Sequence, residues 1–122
     1  MPRFVVLEHD WNGIHYDLML EPEGGGPLRT WALDRFPAIG PAIGARALPD
    51  HRPAYLDYEG PISGDRGRVR RVDRGDYVVV RWTPDRVRVR LEGATVRGIA
   101  ELRRAGGAAD PTDWTFRLGS ES

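Results

Sequence analysis

The strongest constraint on this chain is a period-two pattern broken at short, regular intervals by turn residues. Arg86-Val87-Arg88-Val89-Arg90-Leu91 alternates strictly between charged and apolar, as a strand buried on one face and wet on the other requires. Arg74-Gly75, Thr83-Pro84-Asp85 and Glu92-Gly93 supply turn chemistry between similar runs. Strands are expected at Arg3 to Glu8, Ile14 to Glu21, Leu28 to Leu33, Ala54 to Glu59, Arg68 to Asp73, Asp76 to Trp82, Arg86 to Leu91, Val96 to Arg103 and Trp114 to Leu118. Turns every 8–12 residues or so indicate an all-β sandwich or barrel. Barrel closure removes the edges that so many arginine-lined strands would leave open.

The expected fold is therefore a small closed or nearly closed antiparallel β-barrel, one domain over residues 1–122, with one long irregular loop. That loop runs from Asp34 to Pro53, where Pro37, Gly40, Pro41, Gly44, Pro49 and Pro53 leave room for one short helical turn at most. Pro22 to Pro27 and Ser63 to Gly67 read as connections, and Gly106-Gly107-Ala108-Ala109 loosens the chain before the last strand. Trp31, Trp82 and Trp114 fall on strands and are expected in the core. At 122 residues the chain can bury one core without disulfide or metal staples.

Composition narrows the chemistry by exclusion. There is no cysteine, so disulfides, zinc–thiolate sites and cysteine nucleophiles are ruled out. All 18 basic residues are arginine, which excludes a nucleotidyl-lysine, a Schiff base or a P-loop lysine. Ser63 has no G-x-S-x-G elbow around it, which argues against a serine hydrolase. No signal-peptide pattern opens the chain and no run approaches the ~18 apolar residues of a membrane span, so a cytoplasmic protein without membrane contact is expected. Net charge is zero but unevenly placed. Residues 1–59 carry 5 Arg against 9 acids, and residues 60–104 carry 12 Arg against 6. Such asymmetry favours an anionic partner.

The residues with most chemical content lie in His9-Asp10-Trp11-Asn12-Gly13-Ile14-His15-Tyr16-Asp17. Asn-Gly is a strong hairpin signal, and a hairpin closed there brings His9 opposite His15. Period two puts His15 and Asp17 on one strand face, about 6–7 Å apart along the backbone. Two imidazoles and a carboxylate suit manganese, zinc or iron. A turn-capping histidine beside a surface His-Asp pair satisfies the same spacing. The third histidine, His51, follows the irregular loop, which is long enough to carry it over a barrel mouth. It could serve as general acid or as a phosphate ligand, or stand in solvent. Arg66, Arg68, Arg70, Arg71 and Arg74, with Arg86, Arg88 and Arg90, form either a phosphate track or the solvated face of strands. Trp11, beside His9 in the turn, is placed to touch a ligand.

Taken in order, these residues resemble a known family. Phe4-Val5-Val6-Leu7-Glu8-His9-Asp10 and His15-Tyr16-Asp17-Leu18-Met19-Leu20-Glu21 are similar to the opening of the 3′-phosphoesterase domain of bacterial DNA ligase D. Trp31-Ala32, Asp50-His51, Tyr55, Tyr58-Glu59-Gly60, Asp73-Arg74-Gly75 and Trp114 follow in the family's order, over about residues 4–118. The resemblance implies a compact β-barrel that trims DNA 3′ ends in end-joining repair, removing a terminal phosphate or ribonucleoside with manganese or, as the alternative, zinc. It implies His9, His15 and Asp17 as metal ligands, His51 as a histidine near the scissile phosphate, and Tyr55 in the same pocket.

The chain also departs from the family. Met19 stands where the family has an arginine, Leu7 where it has glutamine and Pro49 where it has glutamate. The family's arm before the first strand has no counterpart in these residues, and Arg46 is out of register with a second family arginine. Arg46, Arg66 or Arg68 is expected to supply the phosphate-binding charge instead, with His51. The expected activity is a metal-dependent phosphoesterase acting on DNA or DNA/RNA 3′ ends. The alternative is a catalytically weakened module that binds DNA ends or end-joining repair proteins.

Overall fold

A computed structural model of the chain describes residues 1–106 and 110–120. Among the described residues there are nine antiparallel strands: β1 (Arg3–Asp10), β2 (Ile14–Leu20), β3 (Leu28–Leu33), β4 (Ile43–His51), β5 (Gly60–Pro61), β6 (Arg68–Thr83), β7 (Arg86–Gly93), β8 (Arg97–Arg104) and β9 (Asp113–Gly119). Their order in the sheet is β1-β2-β3-β4-β9-β8-β7-β6-β5, and a β1–β6 pairing brings the ends together. Eight strands thus form a nearly closed ring. Closure is uneven because β6 is shared: Arg68 to Asp76 pair with β1, whereas Gly75 to Thr83 pair with β7.

Three elements differ from those expected from sequence. The stretch from Asp34 to Pro53 is irregular only to about residue 42, and β4 takes up Ile43–His51. Its Pro49 falls opposite a register shift between Leu28 and Thr30, where a missing N–H removes no ladder bond. Ala54 to Glu59 is not a strand, because Pro53 opens a 3₁₀ turn over Pro53–Leu56, as a fixed φ at a first helical position allows. The strands expected at Arg68 to Asp73 and Asp76 to Trp82 are one continuous strand through Gly75. A Cβ there would lie 2.2 Å from the Glu92 carbonyl oxygen, so glycine lets β7 approach. The loosened Gly106 to Ala109 segment lies mostly outside the described residues.

Alternating side chains divide into two clusters. Phe4, Val6, Leu18, Leu20, Trp31, Tyr77, Leu91, Trp114 and Phe116 belong to the cluster that fills the barrel. Trp31 and Trp114 meet edge to face with centroids 5.6 Å apart, and the Arg29 guanidinium lies 4.3 Å over the Trp31 ring. Trp82 does not join them and is 41% exposed, because β6 beyond Asp76 has lost β1 as a neighbour. The opposite parity, Val5, Leu7 and Met19, packs with Leu28, Leu56 and Val69 on the outer wall. Both faces of β1 are covered, which explains its unbroken run Phe4-Val5-Val6-Leu7.

Asp73 anchors the β7–β8 turn. Its buried carboxylate accepts from the backbone N–H groups of Ala94 at 3.0 Å, Thr95 at 3.1 Å and Val96 at 2.6 Å. Among the described residues no helix is long and apolar enough to cross a membrane.

Candidate metal centre

The β1–β2 hairpin pairs His9 directly with His15 and Leu7 with Asp17. Their outward parity puts the two imidazoles and the carboxylate on the outer wall, at the end of the Val5–Leu7–Met19 cluster. His9 Nδ1 lies 3.1 Å from His15 Nε2. Asp17 approaches His15 Nε2 at 3.1 Å through Oδ1 and His9 Nδ1 at 3.5 Å through Oδ2. One ligand atom from each residue falls within 4.8 Å of the others.

Two features show that this donor set fits a divalent ion. His9 Nε2 is 2.8 Å from the Arg66 carbonyl oxygen. A carbonyl only accepts, so Nε2 carries a proton, and the neutral form of the ring turns its Nδ1 lone pair toward His15 and Asp17. Such outer hydrogen bonds fix ligand tautomers at metal sites. Second, Asp17 is 3% exposed, and its Oδ1 has no partner in hydrogen-bond geometry despite the close His15 nitrogen. A buried carboxylate oxygen without such a partner is costly, and coordination would satisfy it.

The close contact with Asp17 raises the pKa of His15 above 6.5, against the opposing effect of burial. Arg46 lowers it and Asp34 raises it further, so both charges act at the centre. The registers explain Arg46: Asp17 pairs with Ala32, and Ala32 with Arg46. One methyl group separates the carboxylate's row position from the arginine's.

His9, His15 and Asp17 share a groove of about 760 Å³ with Arg46, His51, Tyr55 and Arg66. His51 comes from the end of β4, over the outer wall rather than a barrel mouth. Its Nδ1 is 2.9 Å from the Pro49 carbonyl oxygen and donates to it. Tyr55, on the 3₁₀ turn, meets the His51 ring edge to face at 5.5 Å and Tyr58 at 5.8 Å. The Tyr58 hydroxyl donates to the Pro61 carbonyl oxygen.

Arg68 is not brought into this groove. It lies exposed at the start of β6, paired with Asp10 and Pro61. Met19 borders the groove but is 1% exposed and packed in the outer cluster. Several other arginines face carboxylates: Arg70 meets Glu8 at 3.2 Å, while Arg86 and Arg103 converge on Glu101 at 2.9 and 3.8 Å. Sequence reasoning missed Asp34 and Arg52, which also line the groove. Asp34 directly follows β3 two residues beyond Ala32, a period-two signal hidden by the surrounding prolines.

The chain matches the family model for the DNA ligase D 3′-phosphoesterase domain over residues 7–104, and it belongs to that family. It is also 37% identical over 88 residues to the multifunctional non-homologous end joining protein LigD of Pseudomonas aeruginosa. That match covers 67% of this chain and 10% of the relative, so the chain spans about a tenth of the relative's length.

Proposed function

We propose that the groove is a metal-dependent phosphoesterase site acting on nucleic-acid 3′ ends, removing a 3′-phosphate or a 3′-terminal ribonucleoside during end repair. The observation that carries this reading is the convergence of His9, His15 and an incompletely satisfied Asp17 in one groove with His51, Tyr55 and three arginines, Arg46, Arg52 and Arg66. Family membership supports the substrate class. His9 Nδ1, His15 Nε2 and Asp17 would hold the ion; two nitrogens and a carboxylate suit manganese, with zinc the alternative. Bound there, the ion would supply Lewis-acid stabilisation of the phosphoryl oxygens.

The remaining roles belong to side chains. Arg46 and Arg66 offset phosphate charge, the largest contribution in most phosphoryl transfers. His51 holds its Nδ1 proton on Pro49, so as imidazolium it would offer its Nε2–H to a phosphate oxygen or to the leaving oxygen. Tyr55 keeps that ring oriented by edge contact. Manganese titrated against a 3′-phosphorylated oligonucleotide tests the reading: wild type should release phosphate and His15→Ala should not. Equal release by both, or none by either, contradicts it.

One observation favours a second reading, a module that binds DNA ends or repair proteins with little turnover. The position two residues beyond Asp17 is the buried Met19, whose immediate cross-strand neighbours, Val5 and Thr30, carry no charge. End binding with steep salt dependence and no cleavage would identify that case.

A further inference from the structure

Trp11 is 42% exposed, yet it is held in a defined place. Asn12 and Gly13 take positive φ values of 53° and 101°, and the Trp11 N–H donates to the Gly13 carbonyl oxygen at 2.9 Å. The β5–β6 connection packs directly beneath. A Cβ on Gly67 would lie 1.9 Å from the Asp10 carbonyl oxygen and 2.7 Å from Trp11 Cβ. Above this support the indole stacks on the His9 ring, with centroids 5.9 Å apart and planes 24° from parallel.

An exposed apolar residue is ordinary taken singly. This one borders the metal groove, lies against a metal ligand and is stiffly mounted, whereas Trp31 and Trp114 are spent on the core. Arg66 borders the same groove. Its Nε donates to the Ser63 carbonyl oxygen at 2.7 Å and its Nη2 to Ser63 Oγ at 3.2 Å. Both acceptors are neutral, so they position the guanidinium without cancelling its charge. An aromatic plane beside a fixed cation is a recurrent means of holding single-stranded nucleic acid.

We propose that Trp11 is a stacking subsite for the nucleobase of the 3′-terminal nucleotide, with Arg66 taking the adjacent backbone phosphate. The inference rests on the 3′-end reading above and adds a specificity. The indole takes a face of the terminal base, so ends that carry a 3′-terminal base are preferred to abasic ones. Because every base has a π face, the preference is independent of sequence.

The test is fluorescence anisotropy with a 5′-labelled single-stranded DNA ending in a 3′-hydroxyl, in the presence of manganese. The same strand with an abasic terminal nucleotide completes a cycle. Trp11→Ala should weaken binding of the intact strand about tenfold, and Trp11→Phe less than about threefold. Loss of the terminal base should weaken the wild type about as much and leave Trp11→Ala indifferent. Unchanged manganese affinity in Trp11→Ala shows that the neighbouring centre is intact. Wild-type affinity in Trp11→Ala, equal losses on intact and abasic strands, or a manganese affinity lost with the indole overturns the stacking role alone. Failure of the wild type to bind either strand overturns it together with the 3′-end reading.

Discussion

Asp17 and Arg46 stand in one cross-strand row with only Ala32 between them. Arg46 comes from β4, from within the stretch that sequence reasoning left irregular. The row gives the centre a cation on the side where Met19 offers none. Under the proposed chemistry, Arg46→Ala should lower kcat by about a hundredfold. Manganese affinity should stay within about threefold, since Arg46 supplies charge rather than a ligand atom. Single-turnover kinetics and a metal titration separate these quantities.

The His15 pKa sets two pH dependences of opposite sign. In metal-free protein the pKa is raised mainly by Asp17, so the folded state binds the proton more tightly than the unfolded chain. That stabilisation is fully present below the unfolded value near 6.5 and is lost as pH rises through the raised folded value. Metal binding requires His15 Nε2 to be unprotonated, so manganese affinity should rise over the same window. Urea midpoints of wild type and His15→Gln without metal, beside metal titrations at matched pH, check both slopes.

Asp73 accepts three backbone N–H groups of the β7–β8 turn. Asp73→Ala leaves them without that acceptor and should cost about 2–4 kcal/mol of stability. Urea unfolding measures the loss. The groove lies on the outer wall at β1 and β2, so metal affinity of the folded fraction should not change.

Gly67→Ala should act the other way round, on the site more than on the barrel. The new Cβ meets the Asp10 carbonyl, and φ at this position is +76°, which disfavours any side chain. The hairpin turn must shift, carrying His9 and the Arg66 carbonyl with it. Manganese affinity should fall at least about tenfold, as when an outer-shell partner is removed, and calorimetric titration reads it.

The hairpin was legible because all its signals are local: period-two alternation, Asn12-Gly13, and histidines six residues apart. Its register, His9 opposite His15, follows from those signals. β4 was hidden because its prolines and glycines read as breakers. Pro49 is tolerated opposite a register shift, and at Gly44 a Cβ would lie 2.2 Å from the Asp34 carboxylate. Neither circumstance is visible without the neighbouring strand. The same long-range registers put Ala32 between Asp17 and Arg46 and leave Arg68 outside the groove. The outer apolar cluster is not visible from alternation alone, because Leu56 of the 3₁₀ turn and Val69 of β6, both distant in sequence, complete it.

The proposed metal centre requires that His9, His15 and Asp17 hold one divalent ion together. Calorimetric titration of manganese into metal-free wild type, His9→Ala, His15→Ala and Asp17→Ala tests it most directly. Wild type should bind one ion per chain, and each variant should bind it at least about a hundredfold more weakly. Indistinguishable manganese binding by all four proteins, or none by the wild type, would contradict it.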